Sequence, residues 1–468
     1  MYVRRLWIAI SLITLVACGS TPAPPAPPGV DPGASQTITG TERLGWDQQA
    51  GDAVELATIR YAIYVDGARS EVEGASCATT AGSAGFSCTA RLPALTAGAH
   101  TLQLASFVND GGILESARSP SLRVTVVPAI VPAPATPSFT TTAVVTSDGV
   151  RMRAEPLADG VVAPTDLAFA PDGRLFVAER AGSVRVIRDG RLRPEPAISL
   201  ADTFGADVRL LGLAFDPQFE RTRFVFAILA APARSGEPMF SLARFREVAD
   251  RLGDAVVLLD GVRASPRPAA ALRFGPDGKL YAAFDDGADP RRRGDAASLN
   301  AKVLRLNPDG TTPSDQARGT PVYAEGVESP AGLAWDRSSG ALWIADRRDA
   351  GSSQLRAIVP QAGARATEQR GIVRGAYALP PATLPSSLAF YSGDLIPAFK
   401  GSLLVASEDG RHLLRVRFDA ARTMTPTATE RLLQDRAGGL RAVTVGPDGA
   451  IYFGTARTIG RLVAADER

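Results

Sequence analysis

Histidine is nearly missing from this 468-residue chain: His100 and His412 are the only two. With just three cysteines besides, Cys18, Cys77 and Cys88, the sequence has too few imidazoles and thiolates for a zinc site of the usual ligand type. Lysine is almost as scarce. Only Lys279, Lys302 and Lys400 occur, so arginine supplies nearly all of the 51 basic residues, a bias that reads first as genome composition. The formal charge is only +2 and no basic run follows the N-terminus, which sets nucleic-acid binding aside. The N-terminal apolar stretch, Leu6 to Ala17, is well short of the roughly 20 residues that a bilayer-spanning helix needs. What is plentiful is Gly (45) and Pro (35) among 45% hydrophobic residues, which suits short strands joined by turns. The length implies two or more domains, and the expected class is all-β.

Arg4 and Arg5, the apolar stretch and Cys18 together read as a signal peptide over residues 1–18. Leu15-Val16-Ala17-Cys18 resembles the lipobox of bacterial lipoproteins. That resemblance implies a lipid on the Cys18 sulfur and a mature chain that starts there, anchored to a membrane in the extracytoplasmic cell envelope. Residues 19–36, GSTPAPPAPPGVDPGASQ, are too poor in apolar side chains to fold and form a stiff Pro-rich tether. Because export leads to an oxidising compartment, Cys77 and Cys88 are expected to pair as a local disulfide.

Residues 37–128 alternate apolar and polar positions, as in Ile59-Arg60-Tyr61-Ala62-Ile63-Tyr64-Val65 and His100-Thr101-Leu102-Gln103-Leu104, with Gly-rich turns between. Period two at this length predicts half-buried antiparallel strands and a small β-sandwich. The segment resembles a fibronectin type III or immunoglobulin-like domain, with Trp46 and Tyr61 or Tyr64 in its core and His100 at a corner. That resemblance implies a spacer or a contact module for carbohydrate or protein. PAIVPAPATP, from Pro128, marks a second linker, taken as residues 129–140.

Over residues 141–468 one phrase recurs six times. It is plainest in Asp166-Leu167-Ala168-Phe169-Ala170-Pro171-Asp172-Gly173, Leu272-Arg273-Phe274-Gly275-Pro276-Asp277-Gly278 and Val443-Thr444-Val445-Gly446-Pro447-Asp448-Gly449, with further copies at Leu213, Leu333 and Leu388. Successive copies are 46, 59, 61, 55 and 55 residues apart, the period of a propeller blade with variable loops. In the three plainest copies an apolar strand ends at a turn where Pro fixes φ, Asp bonds the backbone and Gly accepts φ > 0, so the chain reverses into a second strand. A lone blade cannot bury both faces. Six around an axis can, closed by residues near Val150 to Val162 against the last blade. The expected architecture is therefore a six-bladed β-propeller behind a smaller N-terminal β-sandwich.

LLGLAFDPQF, LRFGPDGKLY, KVLRLNPDG, SLAFYSGDLIPAFKGSLLV and VTVGPDGAIY, in order over nearly all of residues 145–463, resemble the glucose/sorbosone dehydrogenase family of six-bladed quinoproteins. The resemblance implies pyrroloquinoline quinone and calcium at the axial face, with a His that takes a proton as a sugar delivers hydride to the quinone. Carried over residue by residue, the pattern departs. The family's His-x-Gly-Gly-Arg-Leu reads Arg267-Pro268-Ala269-Ala270-Ala271-Leu272, and an always-charged Arg267 cannot act as a general base. Its Gly-His-Arg-Asn-Pro reads Gly326-Val327-Glu328-Ser329-Pro330, its Glu-x-Gly-Pro segment becomes Asp346-Arg347-Arg348-Asp349, and its fifth-blade cation becomes Asp409. Of its final Arg-x-Arg pair, Gly439 replaces the first and Arg441 keeps the second.

Asp285, Asp286 and Asp289 offer hard oxygen ligands for calcium, although a solvated loop paired with Arg291, Arg292 and Arg293 explains them equally well. Asp166 and Glu179 read as axis-facing hydrogen-bonding residues. Substitutions at the functional loops beside intact turns predict a dehydrogenase-like scaffold with a degraded quinone site that binds a small polar ligand, glycan or partner protein. An active quinone-dependent aldose dehydrogenase is the first alternative, and a lactone-hydrolase-like propeller with a metal on axial carboxylates is the second.

Overall fold

The computed structural model describes residues 5–8, 36–38, 42–93, 95–96, 98–109, 112–126, 139–233, 235–348, 352–362, 369–419 and 424–465. Cys18, the tether up to residue 35, residues 129–138 of the second linker and Asp349 lie outside them. The chain forms two compact units, Met1–Ala133 and Pro134–Arg468, divided in sequence within the second Pro-rich stretch.

In the first unit, the strands Arg43–Gln48, Phe86–Arg91 and Ser76–Cys77 make one sheet. A second joins Gln36–Ile38, Leu122–Val126, Gly98–Asn109, Arg60–Val65 and Ala68–Glu71. The core between them holds Trp46, Tyr61, Ile63, Leu102, Leu104 and Val124. The Trp46 and Tyr61 rings meet edge-on, centroids 4.7 Å apart. Cys77 and Cys88 form the expected disulfide, between neighbouring strands. A one-and-a-half-turn helix, Ala53–Thr58, was not legible in the alternation; Asp52 caps it by accepting from the Val54 and Glu55 backbone N–H groups at 2.8 Å. Arg5–Ile8 also pairs in parallel with Arg43–Gln48, and cleavage before Cys18 would remove that strand.

The second unit is six sheets, one per blade. Their innermost strands are Pro164–Phe169, Arg209–Phe215, Ala270–Phe274, Ser329–Asp336, Pro385–Phe390 and Ala442–Val445, and each carries one repeat of the phrase. The equivalent residues Leu167, Leu213, Leu272, Leu333, Leu388 and Val443 are all at most 1% exposed, wedged between neighbouring sheets where each is worth about 1.5–3 kcal/mol. The turn chemistry is as the residues require. Asp172, Asp277 and Asp448 accept from the backbone N–H of Arg174, Lys279 and Ala450, while Gly173, Gly278 and Gly449 adopt φ of 85°, 70° and 78°. The sixth blade draws on both ends of the unit. Thr142–Val145 and Arg151–Asp159 add to its outer side, the latter antiparallel to Thr458–Ala464, which closes the ring.

Candidate functional site

Antiparallel neighbours put the start of each inner strand and the end of the next strand at the same end of the propeller. Residues at those positions therefore converge on the axis from different blades. Arg209, Arg267 and Arg441 stand at or just before the inner strands of blades two, three and six, and Arg180 and Glu408 just after the second strands of blades one and five. Arg347 ends the second strand of blade four. Together with Arg273 and Asp166 they line a cavity of about 370 Å³, the upper axial cavity. Its floor is made of small residues, Ala270, Ala271, Ala331 and Gly332, and no aromatic ring of the described residues lines it.

Two carboxylates face these six guanidiniums, and both are engaged. Asp166, 3% exposed, holds Arg273 through two parallel bonds of 2.6 and 2.7 Å and accepts from the Leu167 and Leu213 N–H groups at 2.9 and 3.0 Å. A fork of this kind is the strong form of ion pair. It ties blades one, two and three across the axis. Arg273 also lines a larger cavity of about 930 Å³ at the opposite end, so the pair bolts one mouth of the channel from the other. Glu408 accepts from Arg441 Nη2. The buried Nη1 of Arg441 and Nε of Arg347 find no acceptor among the described residues. The surrounding protein, then the charges of Arg441 and Arg209, push Arg180 below the usual arginine range, with Glu408 offsetting in part. Burial and then Arg180 do the same to Arg347.

Of the residues expected here from sequence, Arg267, Ser329 and Arg441 line the cavity; Glu328, Asp346, Arg348 and Asp409 do not. Glu328 is buried and ion-paired with Arg293 at 3.1 Å and Arg348 at 3.3 Å. Asp346 is fully buried and accepts from the Glu328 and Ser329 N–H groups at 3.0 and 2.8 Å, which organises the turn that presents Ser329. Asp409 is exposed, and its neighbour Glu408 faces the cavity instead.

The calcium reading of Asp285, Asp286 and Asp289 is corrected by their geometry. Asp285 is 2% exposed and accepts from Ser265 Oγ, Ala269 N–H and Gly287 N–H at 2.8–3.0 Å, with burial holding its carboxyl above the usual range. It thereby shapes the Ser265–Ala269 segment that carries Arg267. Asp286 pairs with Arg293 at 2.7 Å, and Asp289 caps the short turn Pro290–Arg293 while holding Arg291 at 2.9 Å. Among the described residues no three or more His, Cys, Asp or Glu side chains are grouped to hold a metal.

Neither histidine lines the cavity. His412 is fully buried, bonded to Thr383 Oγ1 at 3.1 Å and Gly410 O at 2.8 Å, and burial pushes its pKa down. His100 sits at the sandwich corner with Asp66 at 2.6 Å. Glu179 accepts from the Val162 N–H at 2.7 Å. Sequence reasoning missed Arg180, Arg209, Arg273, Arg347 and Glu408 as site residues, although each stands at or near a strand end within a recognised repeat.

The family model for glucose/sorbosone dehydrogenase matches residues 161–363 and 359–464. An uncharacterized protein, slr1608, of Synechocystis sp. is 26% identical over 366 residues, 68% of this chain and 88% of its own. Aldose sugar dehydrogenase YliI of Escherichia coli is 24% identical over 350 residues, 67% and 92% respectively. Among solved structures, an oxidoreductase from Thermus thermophilus assigned as a candidate glucose dehydrogenase is 31% identical with a TM-score of 0.57, covering 67% of this chain and 100% of its own. The PQQ-bound aldose sugar dehydrogenase of Streptomyces coelicolor, 21% identical with a TM-score of 0.56 over 70% of this chain and 100% of its own, shares the fold. The propeller, its repeats and these likenesses place the chain in the glucose/sorbosone dehydrogenase family.

Proposed function

We propose that this protein is an extracytoplasmic lipoprotein, anchored through Cys18, whose propeller binds a ligand in the upper axial cavity and no longer oxidises aldoses by the family's His-dependent route. The observation that carries this reading is the identity of the cavity wall. Arg267 stands at its rim where the family pattern has the base, and both histidines of the chain lie elsewhere. A guanidinium stays protonated at any working pH and cannot accept the proton that hydride transfer from a sugar releases.

The cavity matches the family's quinone and calcium only in part. The arginines suit the carboxylates of a tricarboxylate cofactor. The remainder does not fit: no imidazole lines the cavity, and Asp285, Asp286 and Asp289 are committed to separate protein partners. A lactone-hydrolase-like site would need metal-holding axial carboxylates, yet Asp166 and Glu408 are each taken by a guanidinium.

The test is to add pyrroloquinoline quinone and calcium to the purified protein and follow dye reduction with a panel of aldoses. No sugar-dependent turnover is expected. Turnover would overturn the reading in favour of an active aldose dehydrogenase.

A further inference from the structure

Among the described residues, four strands end the two sheets of the sandwich once Arg5–Ile8 is set aside, and they are not alike. Gln36–Ile38 has three residues, Ser76–Cys77 two and Ala68–Glu71 four, the last with Arg69 and Glu71 exposed. Short or charged edges of this kind resist pairing with a foreign strand. Arg43–Gln48 is different. It runs for six residues, Arg-Leu-Gly-Trp-Asp-Gln, without Pro or Lys, and pairs with Phe86–Arg91 on its inner side with no bulge. Leu44 and Trp46 belong to the core, and Gly45 between them has no side chain to shield the backbone.

The occupant of that edge shows that it accepts a strand. Arg5–Ile8 pairs with it in parallel over four positions, from Arg5 beside Arg43 to Ile8 beside Trp46. The segment precedes Cys18, so processing there removes it and returns a row of backbone N–H and C=O groups to solvent. The residues that follow are unsuited to replace it. Residues 19–35 hold Pro22, Pro24, Pro25, Pro27, Pro28 and Pro32, none with an N–H to give. Gln36–Ile38 is already paired with Leu122–Val126 on the other sheet.

We propose that in the processed lipoprotein the edge of Arg43–Gln48 is a docking site for an extended segment of another polypeptide, added to the sheet as a parallel strand. Main-chain hydrogen bonds along the edge supply the affinity. Residues of the incoming strand in register with Leu44 and Trp46 share their core-facing side, so large apolar side chains are selected at two positions two residues apart. The residue between them lies beside Gly45, where no opposing side chain limits its size. This rests on processing at Cys18, which belongs to the function proposed above.

The test is fluorescence anisotropy of a labelled peptide with the sequence of residues 4–9, Arg-Arg-Leu-Trp-Ile-Ala, titrated with the chain from Gly19 onward and with the full chain. Every described strand except Arg5–Ile8 lies within the shorter chain. The peptide is expected to bind it one to one, at least tenfold tighter than it binds the full chain, whose own leader holds the edge. Replacing the peptide's Trp by Pro, or its Leu and Ile by Ser, is expected to weaken binding at least tenfold. Orientation is read by cross-linking. Arg43→Cys, at an exposed position, is expected to form a disulfide with a peptide carrying Cys for its second Arg, and none with one carrying Cys for its final Ala. Equal binding to both chains, no binding to the folded shorter chain, indifference to Pro, or cross-linking to the final position would overturn the proposal. So would a shorter chain that cannot fold, or one whose dimer shuts the peptide out, since a second copy would then hold the edge. A leader still present in the mass of protein recovered from the cell envelope would instead overturn the underlying reading, while the peptide titration is judged on its own.

Discussion

The two ends of the propeller axis are built by the same six inner strands yet could hardly differ more. Where the strands end, reversing turns, three of them Pro-Asp-Gly, surround a cavity of about 930 Å³ whose wall includes Phe274, Trp335, Phe390 and Tyr391. Where they begin, small residues and six arginines surround less than half that volume. One end is fixed by the needs of folding, since every Pro-Asp-Gly turn must reverse its chain. The other is free of that demand, and its residues answer to whatever the cavity holds. Chemistry specific to this protein is therefore to be sought at the end where the repeats disagree.

The boundary between the two ends offers the most forceful test. Asp166→Ala leaves Arg273 without its partner near the axis and is expected to cost about 3–5 kcal/mol in denaturant unfolding, as for a broken buried pair. Arg273→Met added to it should restore much of that loss, a coupling read by a double-mutant cycle. A cost under about 1 kcal/mol would mean that the bolt does not divide the ends. Next in size, Glu408→Gln removes the carboxylate that neutralises Arg441 in the cavity. Stability should change by less than about 1 kcal/mol, because the pair is partly exposed.

Acidity separates the propeller from the sandwich. His412 has a pKa lowered on folding, so the unfolded chain takes up its proton first. Its stabilising contribution is complete above about pH 6.5 and is lost as pH falls through the folded value. Melting temperature of the propeller should fall on acidification, and His412→Asn should flatten that slope. His100 has the opposite sign: its partner Asp66 raises its pKa, so its contribution to the sandwich is present below about pH 6.5 and lost as pH rises through the folded value. The smallest effect is expected at the far end, where Arg337→Gln should alter stability by no more than about 0.5 kcal/mol.

Blades were legible because the phrase that builds them is local: Leu272, Pro276, Asp277 and Gly278 lie within one short segment and make one hairpin. The site was legible only to within a residue. Alignment pointed to Asp346, Arg348 and Asp409, whereas Arg347 and Glu408 face the cavity. At the end of a strand successive side chains point to opposite sides, so a slip of one position exchanges a ligand-facing group for a buried or solvent-facing one. The Arg273–Asp166 pair was hidden for another reason. Its partners are 107 residues apart and meet only because the ring brings blade three across from blade one. Asp285 looked like a ligand because its type and loop suit calcium, and nothing local revealed that three protein donors already surround it.

The composite sixth blade has a consequence for how the molecule is made. Arg151–Asp159 leaves the ribosome early, but the strand it pairs with, Thr458–Ala464, comes last. During synthesis this early edge waits for nearly the whole propeller, exposed to any strand that would pair with it. The ring is thus a clasp that only a chain reaching Thr458–Ala464 can fasten. A product cut short before Ile451–Gly454 should stay open, adhesive and easily degraded.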